Sequence, residues 1–202
     1  MNYFITGIGT NIGKTIVSAI LTEALEADYW KPIQAGELEN SDTIKVEKLI
    51  SNKKSKYHKE GYCLTKPLSP HAAAKLDNIE IDLAKINIPT TNNNLIIEGA
   101  GGLMVPLNEK ELIIDLIKKL DVEVILVIKN YLGSINHSLL SIESLKDRKL
   151  KVKGIIFNGD ENKESEQFIL NYSGLTCLGR IHTHKAINKK VILSYKNKFN
   201  NL

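Results

Sequence analysis

Apolar residues recur along this chain in two alternating rhythms. Residues 2–6 (Asn-Tyr-Phe-Ile-Thr) read as a short strand. From 14 to 27 the period changes: Ile16, Ile20, Ala24 and Ala27 share one helical face, with Val17, Leu21 and Leu25 beside it. A strand is expected near 29–33. Ser41 is placed to cap a helix running to about Ile50, because its hydroxyl can accept a free amide of the first turn. Residues 51–60, rich in Lys and Ser, read as an exposed loop, and Ser69-Pro70 as a helix start. Three apolar runs, 95–97, 122–128 and 152–157, read as buried strands, and 175–181 as the last strand. Residues 135–145 have a helical pattern, and 185–202 suggest a short final helix with a frayed end.

Short apolar strands separated by helix-length segments predict βαβ units: an α/β fold with a mainly parallel sheet between two helical layers. The 202 residues suit one sizeable core, read as a single domain over 1–202. Ligands of such sheets bind beyond the carboxyl ends of the strands. That directs attention to 7–15, 31–42, 98–107, 129–136, 158–160 and 181–184.

Composition adds little. Hydrophobic residues make up 43% and charged residues 25%, ordinary for a soluble globular protein. The net charge of +4 comes from scattered lysine clusters, read as solvated surface rather than a nucleic-acid patch. Cys63 and Cys177 form no metal spacing and no redox pair, and each is expected to be a buried free thiol. No secretory leader or membrane-length apolar run is seen, so a cytoplasmic protein is expected, with no membrane partner.

The strongest chemical signal is Gly7-Ile8-Gly9-Thr10-Asn11-Ile12-Gly13-Lys14-Thr15. It lies between a strand and a helix, the context of a phosphate-binding loop. The common pattern has four residues between its first Gly and Gly-Lys-Thr, but Ile8 stands where that Gly belongs. Counting from Gly7 instead gives a loop one residue longer, with Gly9 permitting an added turn. Loop amides and the helix N-terminus attract phosphate, Lys14 reaches the outer phosphates, and Thr15 can ligate Mg²⁺.

Other segments are weaker alone. Lys31, followed by Pro32, either holds an anion at a strand end or is a surface lysine. Asp42 is either a dipole-stabilised helix start or a Mg²⁺ carboxylate. Glu98 closes the apolar run 95–97 and precedes Gly99-Ala100-Gly101-Gly102. A carboxylate buried there unpaired costs several kcal/mol, roughly, and a metal would offset that. Gly133-Ser134-Ile135-Asn136 open a helix whose amides can take a carboxylate, or they are an ordinary helix start; His137 reads as structural. Asn158-Gly159 is either an adenine edge contact or a plain turn.

Together these segments resemble the dethiobiotin synthetase family. Its longer phosphate loop matches Gly7–Thr15. Its Lys-Pro, Asn-Ser-Asp and Ser-Pro-His match residues 31–32, 40–42 and 69–71. Its Glu-Gly-Ala-Gly-Gly, Leu-Gly-x-Ile-Asn-His and adenine-side Asn match 98–102, 132–137 and Asn158. The resemblance implies a fold of the P-loop NTPase type with about seven strands, in a homodimer with the site near the interface. It implies 7,8-diaminopelargonic acid, CO₂ or bicarbonate, and ATP with Mg²⁺ as reactants and cofactor. A carbamate forms, ATP converts it to a carbamic-phosphoric anhydride, and the second amine closes the ureido ring.

On this resemblance Lys14 and Lys31 are catalytic. Nucleotide contacts fall to Asn11, Ile12, Gly13, Lys14, Thr15, Ile16, Asp42, Glu98, Gly99, Ala100, Gly101, Asn158 and Gly159. Thr15, Asp42 and Glu98 hold Mg²⁺. Thr10, Lys31 and Gly133, Ser134, Ile135 and Asn136 serve the substrate, the last four from the partner subunit. The chain departs from the family's frequent residues at Ala35 (a hydroxyl residue), Asn11 (an acid) and His182 (Pro), so a substrate contact at 35 and a close adenine pocket are not carried over. A cobyrinate-type amidotransferase would need a glutaminase domain, for which this length has no room. Partition and septum-site ATPases carry a further signature Lys early in the loop, and residues 7–13 contain none.

Overall fold

A computed structural model describes all residues, 1–202. Nine strands and eight α-helices alternate along the chain. Seven strands form one sheet: β1 (Asn2–Gly7), β2 (Asp28–Trp30), β4 (Tyr57–His58), β6 (Leu95–Gly102), β7 (Glu123–Ile128), β8 (Val152–Asn158) and β9 (Cys177–Ile181). Their order is β4-β2-β6-β1-β7-β8-β9 and every pairing is parallel. β1 and β6 therefore lie side by side, with Ile5 opposite Glu98. The phosphate loop and the Glu98 segment leave the sheet at neighbouring positions.

Alternate residues of the central strands face opposite layers, as a period of two requires. Tyr3, Ile5, Tyr29 and Ile96 face the layer built on α1 (Lys14–Leu25). Phe4, Trp30 and Ile97 face the layer of α3 (Pro70–Leu76) and α4 (Ile113–Leu120). On the first side, α2 (Asp42–Leu49), α7 (Lys189–Ser194) and α8 (Lys196–Phe199) pack on α1. Beyond β7, α5 (Ser134–Asp147) and α6 (Lys163–Ser173) lie side by side. The result is a three-layer α/β/α fold.

Several expectations change. The strand expected at 29–33 is broken: β2 ends at Trp30, and β3 (Ile33–Ala35) pairs with β5 (Tyr62–Leu64) in a separate two-stranded sheet. Pro32, between them, has no N–H to continue the first ladder. The 51–60 loop contains the edge strand β4. The C-terminal segment does not fray as one helix: it forms two short helices, and Ile192, Phe199 and Tyr195 at the turn between them are buried in the α1-side core. Both cysteines are exposed rather than buried. Cys63 lies on the small sheet, and Cys177 begins the edge strand β9. Ser41 does cap α2, accepting the Ile44 amide at 3.3 Å. Ser69 precedes Pro70 as expected, but its hydroxyl pairs with His71 Nδ1 at 3.0 Å instead of capping α3. No helix is long and apolar enough to cross a membrane.

At the opposite end of the sheet from the phosphate loop, buried Asp28 ties β2 to its surroundings. It accepts from the Lys56 amide (2.9 Å), Thr91 Oγ1 (2.7 Å) and Asn93 Nδ2 (3.1 Å), and pairs with His58 Nε2 at 2.9 Å. Burial opposes its ionisation, but hydrogen bonds led by Thr91 outweigh that and hold the carboxyl below its usual range. A depressed carboxyl stabilises the fold above its unfolded pKa and loses that contribution as pH falls through the folded value. Asp28→Asn, which turns an NH₂ toward these donors, is expected to cost about 3 kcal/mol at pH 7 in urea unfolding. The gap between the two proteins should close as pH falls through the folded pKa; a gap that stays constant would contradict this role.

Candidate active site

The left-handed turns of the loop fall at Asn11 (φ 58°) and Gly13 (φ 96°), not at Gly9 as the spacing suggested. Gly9 contributes its carbonyl, which accepts from Lys14 Nζ at 2.9 Å. Burial pulls Lys14 down to about 8 despite the opposing charge of Glu98. A nearby triphosphate would favour the charged ammonium again. Asn158 does not stand free: its Nδ2 donates to the Ile12 carbonyl at 2.7 Å, and a Cβ at Gly13 would overlap that amide nitrogen. The last residue of β8 thus braces the loop.

Beside the loop, four polar side chains converge. Lys31 follows β2 directly, so its Nζ reaches Asp42 Oδ2 at 2.8 Å and Glu98 Oε1 at 3.2 Å, with the Gly99 carbonyl at 3.4 Å. Thr15 Oγ1 donates to the same Glu98 oxygen at 2.8 Å. Lys31 and Glu98 are almost fully buried. Burial would depress the Lys31 ammonium, but Glu98 and Asp42 raise it above its ordinary value. Burial likewise opposes ionisation of Asp42, and Lys31 outweighs it to lower that carboxyl. Lys45 adds a second, looser contact to Asp42 at 3.5 Å while pairing with Glu37 at 2.6 Å.

This cluster lines a cavity of about 540 Å³ together with Thr10, Asn11, Gly13, Lys14, Ile16, Gly99 and Gly101. Most of the nucleotide, metal and reaction residues expected from sequence therefore meet in one place. Ile12, Ala100, Asn158 and Gly159 lie outside its walls, with the Ile12 side chain buried in the α1-side core. Gly133, Ser134, Ile135 and Asn136 also lie outside, at the start of α5. Thr10 and Asn11 also line a neighbouring hollow with Lys129, Tyr131 and His137, where the Tyr131 hydroxyl and His137 Nδ1 are 2.7 Å apart. A roomier cleft of about 910 Å³, near α3, includes His71 but no residue of the phosphate loop.

Sequence reasoning passed over Gln34 and Tyr29. Gln34 accepts the Asp42 amide at 3.2 Å, orienting the start of α2. Tyr29 donates to Glu98 Oε2 at 2.9 Å, and burial, then the Glu98 and Asp42 charges, raises its phenol well above the usual value. Neither contact carries a local sequence signal; Tyr29 sits between Asp28 and Trp30 in the short strand β2, far in sequence from Glu98.

Thr15, Asp42 and Glu98 all line the cavity with hard oxygens, and the ammonium of Lys31 lies between the two carboxylates. With phosphate oxygens added, that donor set fits Mg²⁺, which keeps few protein ligands. No cluster of three or more His, Cys, Asp or Glu side chains able to hold a metal alone exists.

Residues 1–191 match a family described as an AAA domain. The chain is 14% identical to the septum site-determining protein MinD complexed with Mg-ADP from Pyrococcus horikoshii, with a TM-score of 0.58, covering 100% of this chain and 92% of that one. At that identity the likeness concerns the fold alone. The chain is 56% identical to the ATP-dependent dethiobiotin synthetase BioD of Christiangramia forsetii, over 98% of this chain and 95% of that protein. Identity to the protein of the same name from Cytophaga hutchinsonii is 53%, over 96% and 94%. Likeness at this level spans the phosphate loop, the Lys31–Asp42–Glu98 cluster and nearly all the sheet, and the chain belongs to the ATP-dependent dethiobiotin synthetase family.

Proposed function

We propose that this enzyme carboxylates 7,8-diaminopelargonic acid with CO₂, or bicarbonate as its source, and closes the ureido ring to give dethiobiotin, ADP and phosphate. The observation that carries the reading is the buried Lys31 ammonium within the phosphate-loop cavity, bound to both Asp42 and Glu98. Ring closure must bring a carbamate and a triphosphate together, and both are anionic. Lys14 and Lys31 neutralise them from two sides, and the loop amides around Gly13 cradle the phosphates. Mg²⁺ on Thr15, Asp42 and Glu98 would neutralise the outer phosphate oxygens and release Lys31 from its two carboxylates.

The substrate amine takes up CO₂ as a carbamate, whose oxygen attacks the γ-phosphorus and expels ADP. The second amine then attacks the carbamoyl carbon and expels phosphate, closing the ring. Thr10, exposed at the cavity mouth, contacts the carbamate side. The nucleotide spans Asn11 to Ile16 and Gly99 to Gly101, with its base toward Asn158 and Gly159. Gly133 to Asn136 lie outside the cavity; a homodimer supplies them from the partner subunit to hold the distant carboxylate. The whole chain acts as one domain, in the cytoplasm.

Incubation with the diamine, ¹³C-bicarbonate and MgATP is expected to yield dethiobiotin heavier by one mass unit. Product without the label, or no product from active nucleotide-bound protein, would contradict the proposal.

A further inference from the structure

We infer that Tyr29 is a positioning residue for the divalent cation: its hydroxyl holds one oxygen of Glu98 so that the other faces the phosphate cavity. The two Glu98 oxygens have divided tasks. Thr15 and Lys31 both contact Oε1, on the cavity side, while Tyr29 alone among side chains donates to Oε2. Strand register accounts for the contact. Tyr29 pairs with Ile96 across the parallel β2–β6 ladder, and Glu98 lies two residues on, on the same face. Tyr29 is completely buried, so no water from bulk solvent substitutes for its hydroxyl.

Without that hydroxyl, Oε2 is a buried acceptor lacking its donor. The carboxylate then either leaves it unpaired or rotates, and the oxygen offered to a cation is no longer fixed. Partners behind a metal ligand typically matter by about 10–100-fold in metal affinity. Tyr29→Phe keeps the ring and removes only the donor.

The inference rests on the proposed Mg²⁺ site, and its test needs neither the diamine nor turnover. ATP binding is titrated calorimetrically with Mg²⁺ and, separately, with EDTA, for the parent protein, Y29F, E98Q and the double variant. Y29F is expected to weaken MgATP binding by about tenfold or more while changing metal-free ATP binding by less than about twofold. In the E98Q background, Y29F should add nothing further. A variant that folds poorly lowers the binding stoichiometry in both series, not the ratio of affinities. Equal losses with and without Mg²⁺, no loss, or a Y29F effect that persists in E98Q would each overturn the inference. Failure of ¹³C-labelled ring closure would overturn the proposed reaction instead and leave this result standing.

Discussion

Lys31→Ala is expected to reduce dethiobiotin formation by about a thousandfold or more while changing MgATP affinity only a few-fold. The ammonium lies at the meeting point of Asp42, Glu98 and the Gly99 carbonyl, where the anions of the reaction are to be brought together. In the nucleotide-free protein it also holds two carboxylates, Glu98 buried and Asp42 half-buried. Removing it leaves buried Glu98 without a paired cation and Asp42 with only its 3.5 Å contact to Lys45, at a cost of about 3 kcal/mol or more. The thermal midpoint without ligand should therefore drop markedly. Mg²⁺ with ATP should restore more of that loss than it adds to the parent protein, because the cation replaces the missing positive charge. Steady-state assays beside calorimetric MgATP titration separate these effects. Equal losses of turnover and of nucleotide affinity would place Lys31 on the triphosphate and not on the transferring group.

Gly13→Ala should weaken ATP binding by about a hundredfold, through two separable causes. The residue sits at φ 96°, which costs an L-residue roughly 1–2 kcal/mol. Its added methyl would also displace the Asn158 amide from the Ile12 carbonyl, forfeiting a hydrogen bond of about 1 kcal/mol. Truncating Asn158 to Ala in the same protein removes the steric conflict but not the backbone strain. The double variant is therefore expected to lose less than the two single losses combined. Strict additivity would mean that Asn158 does not brace the loop at Gly13.

Local features carried much of the fold and site into the sequence. The change from strand to helix period located the sheet strands β1, β7 and β8, and a carboxylate ending an apolar run marked Glu98. What stayed hidden depends on contacts between distant residues. Asn158 meets Ile12 across 146 positions, and Tyr29 meets Glu98 across 69. A tyrosine in a buried three-residue strand gives no sign of what its hydroxyl reaches. The break at Pro32 was legible in principle, since proline ends a ladder, but the small second sheet depends on the later segment β5. The tail read as fraying because it is rich in Lys and Asn; its three buried residues, Ile192, Tyr195 and Phe199, find their partners on α1 and the sheet.

One assay reads whether the buried Lys31 cluster serves the proposed ring closure. Phosphate release from MgATP by the purified protein should be near background alone and rise strongly only when the diamine and bicarbonate are both present. Hydrolysis indifferent to the diamine, or stimulated instead by DNA or lipid vesicles, would contradict the account.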